Sequence, residues 1–332
     1  MNDDPHQTEN ALAVIRSWCS TGFLIRRIDC RGCKLHAMAR IAIVGPGAVG
    51  GVIAAWLEKT GRHEIILCAR RELGELHVET PHGALVARPQ VLTAPEQTTP
   101  VDWVLVATKA YDTAGAATWL KGLAANGAPV AILQNGVEHR ERFSAYLLAE
   151  QLVPVMVDCP AERVTPTTIR QRGTAKMVVQ DDARGREFVA LFAGTPVEVT
   201  LTTDLKSAVW RKLCVNAAGV ISGLVLQPAG VMQDEKLGEL SRQLVRECIA
   251  VGRAEGALMD DSLAETVLQG YRSAPADSVN SLHADRQAGR PTEIDARNGV
   301  IVRLGRKHGI ATPCNAMAVA LIETMTRATS AK

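Results

Sequence analysis

Residues 41–71, IAIVGPGAVGGVIAAWLEKTGRHEIILCARR, limit more than any other stretch what this chain can become. An apolar run, Ile41–Val44, stops at a glycine-rich turn. A helix-compatible segment follows from Ala48 to Lys59, and a second strand-like run covers Glu64–Cys68. Gly45, Gly47 and Gly50 have the G-x-G-x-x-G spacing of a dinucleotide-binding turn, set between a strand and a helix as that reading requires. Gly45 permits the tight turn, Gly47 lets backbone approach a pyrophosphate, and Gly50 lets helix pack closely on strand. Together with Pro46, Ala48 and Val49 they form the candidate cofactor turn, because the amides opening the helix face anionic phosphates.

The end of the second strand chooses between dinucleotides. An acid there accepts from the ribose 2′-hydroxyl of NAD, whereas an arginine suits the 2′-phosphate of NADP. Here Arg70 and Arg71 precede the next acid, Glu72. Guanidinium pairs with phosphate through charge-assisted, bidentate bonds, so Arg70 points to NADP (NADPH). The alternative is a pair of solvated loop arginines.

A chain of 332 residues suits two domains. Its 37 basic and 35 acidic residues nearly cancel, which leaves no electrostatic footprint for nucleic acid or an anionic membrane. The eight cysteines are scattered, mostly in apolar segments, as expected of buried thiols in a reducing cytoplasm rather than a disulfide framework. The uncharged stretch Leu213–Gln233 contains Asn216, Ser222, Gln227 and Pro228, which a lipid-facing helix would expose at a cost. It reads instead as a helix buried between domains or subunits, with room for a homodimer interface, and no membrane span is expected.

Residues 1–37 have no clean periodicity and lack the basic start and unbroken apolar core of a signal peptide. They are expected to be a poorly ordered extension before Met38. Cys30, Cys33 and His36 have metal-like spacing but no evident fourth ligand, so no metal site is expected.

Further along, Gly83–Val91 alternates weakly as a strand does. Val101–Thr108 and Pro129–Leu133 are continuous apolar runs of the kind found in parallel strands covered on both faces. Each run leads into polar residues, Lys109 after the first and Asn135 after the second. Ligands of open α/β sheets lie outside the carboxyl ends of the strands, so both residues fall on the rim where a nicotinamide belongs. Short β-branched pieces at Val153–Val157, Lys176–Val179 and Val197–Leu201 are expected to extend or edge the sheet. From about Leu205 the pattern is helical, with Glu239–Gly256 the plainest amphipathic segment. The expected domains are therefore 38–203, a Rossmann-type doubly wound α/β sheet, and 204–330, all helical.

In WRKLCVN, Lys212 and Asn216 are four apart, which stacks them on one helix face. A lysine opening so apolar a helix gives up hydration, which suits it to proton transfer; the alternative is a snorkelling lysine. In residues 280–299, NSLHADRQAGRPTEIDARNG, Thr292 and Asp295 fit a shortened capping box. Glu293 then falls in the first turn of a helix that ends at His308-Gly309. That position also suits an ordinary helix-opening acid.

GPGAVG, TKAYD, QNG, WRKLCVN and S-x-x-x-D-x-x-x-G-R-x-TEID-x-x-NG occur in this order. As an ordered set over residues 38–325 they resemble the ketopantoate reductase (2-dehydropantoate 2-reductase) family. The resemblance implies an NADP-binding Rossmann domain joined to a helical domain, with an active site in the cleft between them. It implies reduction of a 2-oxo acid, ketopantoate, to pantoate on the route to coenzyme A. Carried over by position, Lys212 is the catalytic acid and Glu293 lies near the substrate hydroxyl and cofactor. Lys109 and Asn135 line the nicotinamide side and the substrate. Asn216 contacts substrate, and Ser281 helps bind its carboxylate. Two positions depart from the pattern: Val220 stands where a further asparagine is common, and Asn280 where a small hydroxyl residue is common. A pocket that loses a polar contact accepts a more apolar substrate, so another branched 2-oxo acid is one alternative. A non-catalytic NADP-binding regulatory protein is another, and a related β-hydroxy acid dehydrogenase a third.

Overall fold

The computed structural model describes residues 38–330, with the backbone alone for 327–330. The extension 1–37, with Cys30, Cys33 and His36, lies outside the described residues. Two compact units divide between Leu205 and Lys206.

The first unit is built on a parallel sheet. Its strands in chain order are β1 (Ala39–Val44), β2 (His63–Cys68), β5 (Gln90–Leu92), β6 (Trp103–Val106), β7 (Val130–Ile132) and β8 (Leu152–Pro154). They lie side by side as β5-β2-β1-β6-β7-β8, and every pairing is parallel. This is the doubly wound order in which the chain reverses direction across the sheet between β1 and β6. Burial on both faces explains the unbroken apolar runs. Along β1, Ile41 and Ile43 join one core cluster while Ala42 and Val44 join the other. Helix α1 (Ala48–Lys59) follows β1 and α2 (Thr113–Leu123) follows β6, with α3 (His139–Phe143) after β7.

The three β-branched pieces expected to widen this sheet mostly do not. Residues 153–157 split at Val155, so that β8 closes the main sheet and β9 (Met156–Asp158) leaves it. β9 pairs with β12 (Lys176–Gln180), and β12 with β13 (Glu198–Thr202), as a separate three-stranded sheet. Helix α4 (Ala183–Leu191) accompanies it, and Met177, Val179 and Phe188 enter the same core cluster as Ile41 and Ile43. These pieces cover a face of the main sheet instead of lengthening it. Gly83–Val91 likewise resolves into two strands, β4 (Gly83–Ala87) and β5, with only β5 in the main sheet.

β4 belongs to a four-stranded sheet ordered β10-β11-β3-β4, with β3 spanning Leu76–Thr80, β10 Ala161–Arg163 and β11 Thr168–Gln171. Helix α1 packs against it. Trp56 in α1 donates through Nε1 to Gln171 Oε1 at 2.9 Å, both side chains being buried. Ile169 fills the space that a side chain at Gly51 would need.

The second unit is helical: α5 (Leu205–Ala218), α6 (Val220–Val225), α7 (Glu235–Ala254), α8 (Leu263–Ser273), α9 (Ser281–Gln287), α10 (Val300–His308) and α11 (Pro313–Ser330). The amphipathic segment expected at Glu239–Gly256 is α7, one turn longer at its start because Asp234 caps it through Lys236 N and Leu237 N. The uncharged stretch 213–233 is not one helix. It breaks at Gly219, where α6 begins, and again at Leu226, whose φ of 51° is left-handed, and it ends in the 3-10 turn Ala229–Gln233. Leu205–Val225 is long and apolar enough to cross a membrane, with a mean hydropathy of 1.2 over its most apolar window, of which 61% is buried in the protein. Val220 and Ile221 join Leu244, Leu268 and Ile322 in the core of this unit.

Trp56→Phe should lower the unfolding free energy by about 1–3 kcal/mol, because it strands the buried Gln171 amide oxygen. Urea denaturation followed by circular dichroism reads this directly. No change would mean that the small sheet is not tied to α1 through this bond.

Candidate active site

The glycine turn lies at the carboxyl end of β1, beside the point where the strand order reverses. Gly45 has φ +87°, and a Cβ there would come within 2.6–2.9 Å of Thr108, in the loop after β6. A Cβ at Gly50 would lie 2.5 Å from the Gly45 carbonyl oxygen and 3.1 Å from Ala107 Cβ. At Gly47 nothing comes nearer than the Gly45 oxygen at 4.0 Å, and the residue is exposed. Two glycines are therefore forced by the protein's own backbone, whereas the third leaves open room in front of the turn. Helix α1 has no side-chain cap and no acid in its first turn. Its first amides, Ala48 to Gly50, have no partners inside the helix, which is the setting in which a pyrophosphate binds. The residues present fit a dinucleotide.

The loops around the turn are tied to it. Gly45 N donates to Cys68 O at 3.1 Å, which sets the end of β2 beside the turn, with Arg70 and Arg71 exposed just beyond. Lys109 and Asn135, both half-buried, follow β6 and β7. Gln134, buried between them, donates to Thr108 Oγ1 at 2.9 Å and to Lys109 O at 3.4 Å. His139 Nε2 meets Gln134 O at 2.8 Å. Gln134 and His139 were not singled out from the sequence, although a glutamine ending an apolar strand was the available signal.

In the helical unit, Lys212 is the eighth residue of α5, not its opening residue, and both it and Asn216 are half-buried. Three backbone carbonyls in the last turn of α5, and that of Gly219 just beyond it, accept from side chains elsewhere in the unit. Tyr271 Oη donates to Val215 O at 3.0 Å and Arg297 Nη2 to Asn216 O. Asn298 Nδ2 donates to Ala217 O at 3.2 Å and Asn280 Nδ2 to Gly219 O at 2.9 Å. A Cβ at Gly219 would press on Tyr271, Arg297 and Asn280 together.

The shortened capping box at Thr292 and Asp295 does not form. Residues Asp295–Gly299 make a π-helical turn ahead of α10, closed by Gly299 N donating to Ile294 O at 2.9 Å, and no side chain caps it. The Asp295 carboxylate pairs with Arg303 instead. The wider turn sets Arg297 and Asn298, neighbours in sequence, against successive carbonyls of α5. Arg297 is 2% exposed and Glu293 6%. Burial pushes the Arg297 guanidinium below its ordinary range, while nearby Tyr271, Glu293 and Asp285 pull it back up. Glu293 thus stands before the π turn, not in the first turn of an α-helix. Ser281 opens α9 and is exposed, and Asn280 caps that helix by accepting from His283 N at 3.0 Å. Arg297, Asn298 and Tyr271 were not among the sequence candidates, and Asn280 stood out only as a departure from the family pattern. For Arg297 and Asn298, their place just before an apolar helical run was the only hint.

A Rossmann-type dinucleotide unit followed by an all-helical unit defines a two-domain oxidoreductase of the pyridine-nucleotide-dependent class. Residues 41–184 match the family described as ketopantoate reductase PanE/ApbA, and residues 204–326 match its C-terminal model. The chain belongs to this family. It is 53% identical over 285 residues to a 2-dehydropantoate 2-reductase of Caulobacter vibrioides, covering 86% of this chain and 98% of that one. It is 39% identical over 284 residues to the enzyme of that name from Mycobacterium tuberculosis, covering 85% and 96%. A crystal structure of a PanE/ApbA family ketopantoate reductase from Ralstonia eutropha JMP134 superposes with a TM-score of 0.81 at 30% identity, covering 88% and 99%.

Asn298→Ala should cost about 1–3 kcal/mol of stability, since it leaves the Ala217 carbonyl and Asn315 Oδ1 without their donor. A wild-type midpoint in urea would contradict the anchoring role. Burial also lowers the pKa of His139 and His283 from 6.5. Below pH 6.5 the unfolded chain binds protons that the folded chain refuses, so stability should be full above that pH and fall as acid is added toward the folded values. Unfolding free energies at pH 7.5 and 5.5 test the sign, and a His139→Gln variant should show a shallower fall.

Proposed function

We propose that this chain reduces 2-dehydropantoate (ketopantoate) to pantoate with NADPH. The observation that carries the reading is this chain's 53% identity to a curated 2-dehydropantoate 2-reductase over nearly the whole of that protein, and this chain has Lys212, Asn216, Ser281 and Glu293 at the positions the resemblance assigns to the chemistry. Arg70, exposed at the end of β2, pairs with the 2′-phosphate. The turn from Gly45 to Gly50, with Pro46, Ala48 and Val49, receives the pyrophosphate, and Lys109 and Asn135 border the nicotinamide and the substrate. The nicotinamide, when bound, supplies the hydride. Lys212 then stabilises the charge growing on the carbonyl oxygen and gives that oxygen its proton. Glu293 accepts from the substrate hydroxyl and borders the cofactor. Ser281 donates to the substrate carboxylate, and Asn216 orients the substrate beside Lys212. The anchored end of α5 supports this assignment, because a proton donor works only when held in place.

Among the described residues Cys68, Cys214, Cys248 and Cys314 are thiols outside any disulfide, which supports a reducing compartment, the cytoplasm. Val220 favours a second reading. It is fully buried in the apolar core of the helical unit, so the position gives no polar contact, and a different branched 2-oxo acid becomes the preferred substrate.

Lys212→Ala should bind NADPH normally and lose ~10²–10⁴-fold in kcat with ketopantoate. An unchanged kcat would remove the acid from Lys212. Nicotinamide absorbance, followed across a panel of branched 2-oxo acids, separates the two substrate readings. Tight NADPH binding without turnover of any acid would favour a regulatory protein instead.

A further inference from the structure

Helix α1 begins under an unusual load of positive charge. The N-terminal end of a helix already carries about half a positive charge, and acids there stabilise it while cations do not. No acid occupies the first turn of α1 and no side chain caps it. Instead, Arg163, at the end of β10 in the small sheet, reaches the glycine turn from 117 residues further along the chain. Its Nη2 donates to Pro46 O and, at 3.4 Å, to Gly47 O, while Nη1 donates to Pro166 O within its own hairpin. Arg163 is half-buried. A guanidinium brought to a bare helix start is unfavourable to that helix unless an anion joins it.

The same contact fixes the turn. The carbonyl and amide of one peptide point in opposite directions, so holding the Pro46 and Gly47 carbonyls on the Arg163 side commits those peptide planes. Gly47 N donates back to Gly45 O at 2.7 Å and Gly51 N to Gly47 O at 2.9 Å, which closes the turn on itself. The amides left for a ligand belong to Ala48 and the residues after it, on a turn whose shape Arg163 holds. Trp56–Gln171 and Gly51–Ile169 seat the small sheet firmly enough against α1 to present the arginine there.

We propose that Arg163 is a positioning residue for the diphosphate of the dinucleotide, so that the four-stranded sheet is part of the cofactor site. This rests on the dinucleotide reading of the glycine turn given above. Arg163 acts in two ways: it holds the turn in its binding shape, and it adds a full positive charge behind the helix start. Arg70 would serve the 2′-phosphate, whereas Arg163 serves only the diphosphate.

Two ligands separate these roles in the full chain. NADPH carries both phosphate groups of interest, and adenosine 2′-monophosphate carries no diphosphate. In Arg163→Met, the Kd for NADPH measured by calorimetry should rise about tenfold or more, while that for adenosine 2′-monophosphate stays within about twofold of wild type. The KM for NADPH should rise alike with kcat little changed. Arg163→Lys keeps the charge but not the fork, and should fall between wild type and Arg163→Met. It also serves as the deciding variant if Arg163→Met does not fold, with at least a threefold loss for NADPH alone expected. Equal weakening of both ligands, or unchanged NADPH affinity, would overturn the inference and leave Arg163 a structural residue. Wild-type protein that binds no pyridine nucleotide overturns the proposed function, and this inference with it.

Discussion

The helical unit depends on how α5 ends. The last four carbonyls of any helix have no partner within it, and a buried carbonyl left unpaired costs free energy. Here Tyr271, Arg297 and Asn298 donate to the carbonyls of residues 215, 216 and 217 in the last turn of α5, and Asn280 donates to that of Gly219, the residue between α5 and α6. Three directed contacts in the last turn, with a fourth just beyond it, fix the helix's rotation as well as its position. Lys212 and Asn216 lie on that same helix, so their orientation is inherited from residues that need never touch substrate. The π turn at 295–299 belongs to the same device, because its wider winding puts Arg297 and Asn298 against neighbouring carbonyls.

The first unit solves a comparable problem by removing side chains. Gly45 and Gly50 let three backbone segments approach within distances that any Cβ would prevent. Gln134 then stitches the loops after β6 and β7 together.

Local pattern made much of this legible in advance. β1, α1, β2, β6 and β7 follow from continuous apolar runs and glycine spacing, since each signal lies within a few residues of its consequence. The small sheets were not legible, because strands such as Thr168–Gln171 pair with Leu76–Thr80 across a long separation and carry no mark of their partner. Thr292 and Asp295 suggested a capping box from spacing alone. The structure resolves otherwise because Arg303 competes for Asp295 and Arg297 is drawn to α5. Asn280 stood out only as a departure from a family pattern, whereas its amide group bridges the start of α9 and the end of α5. Side chains that serve a distant carbonyl leave no periodic trace.

Asn298 also donates to Asn315 Oδ1, and Asn315 Nδ2 donates to Leu244 O and to Glu247, whose carboxylate receives the first amides of α11. The C-terminal helix is thereby the keystone of the arch that holds α5. A change at Asn315 would therefore be felt at the end of α5, one hydrogen bond removed, through Asn298 and the Ala217 carbonyl.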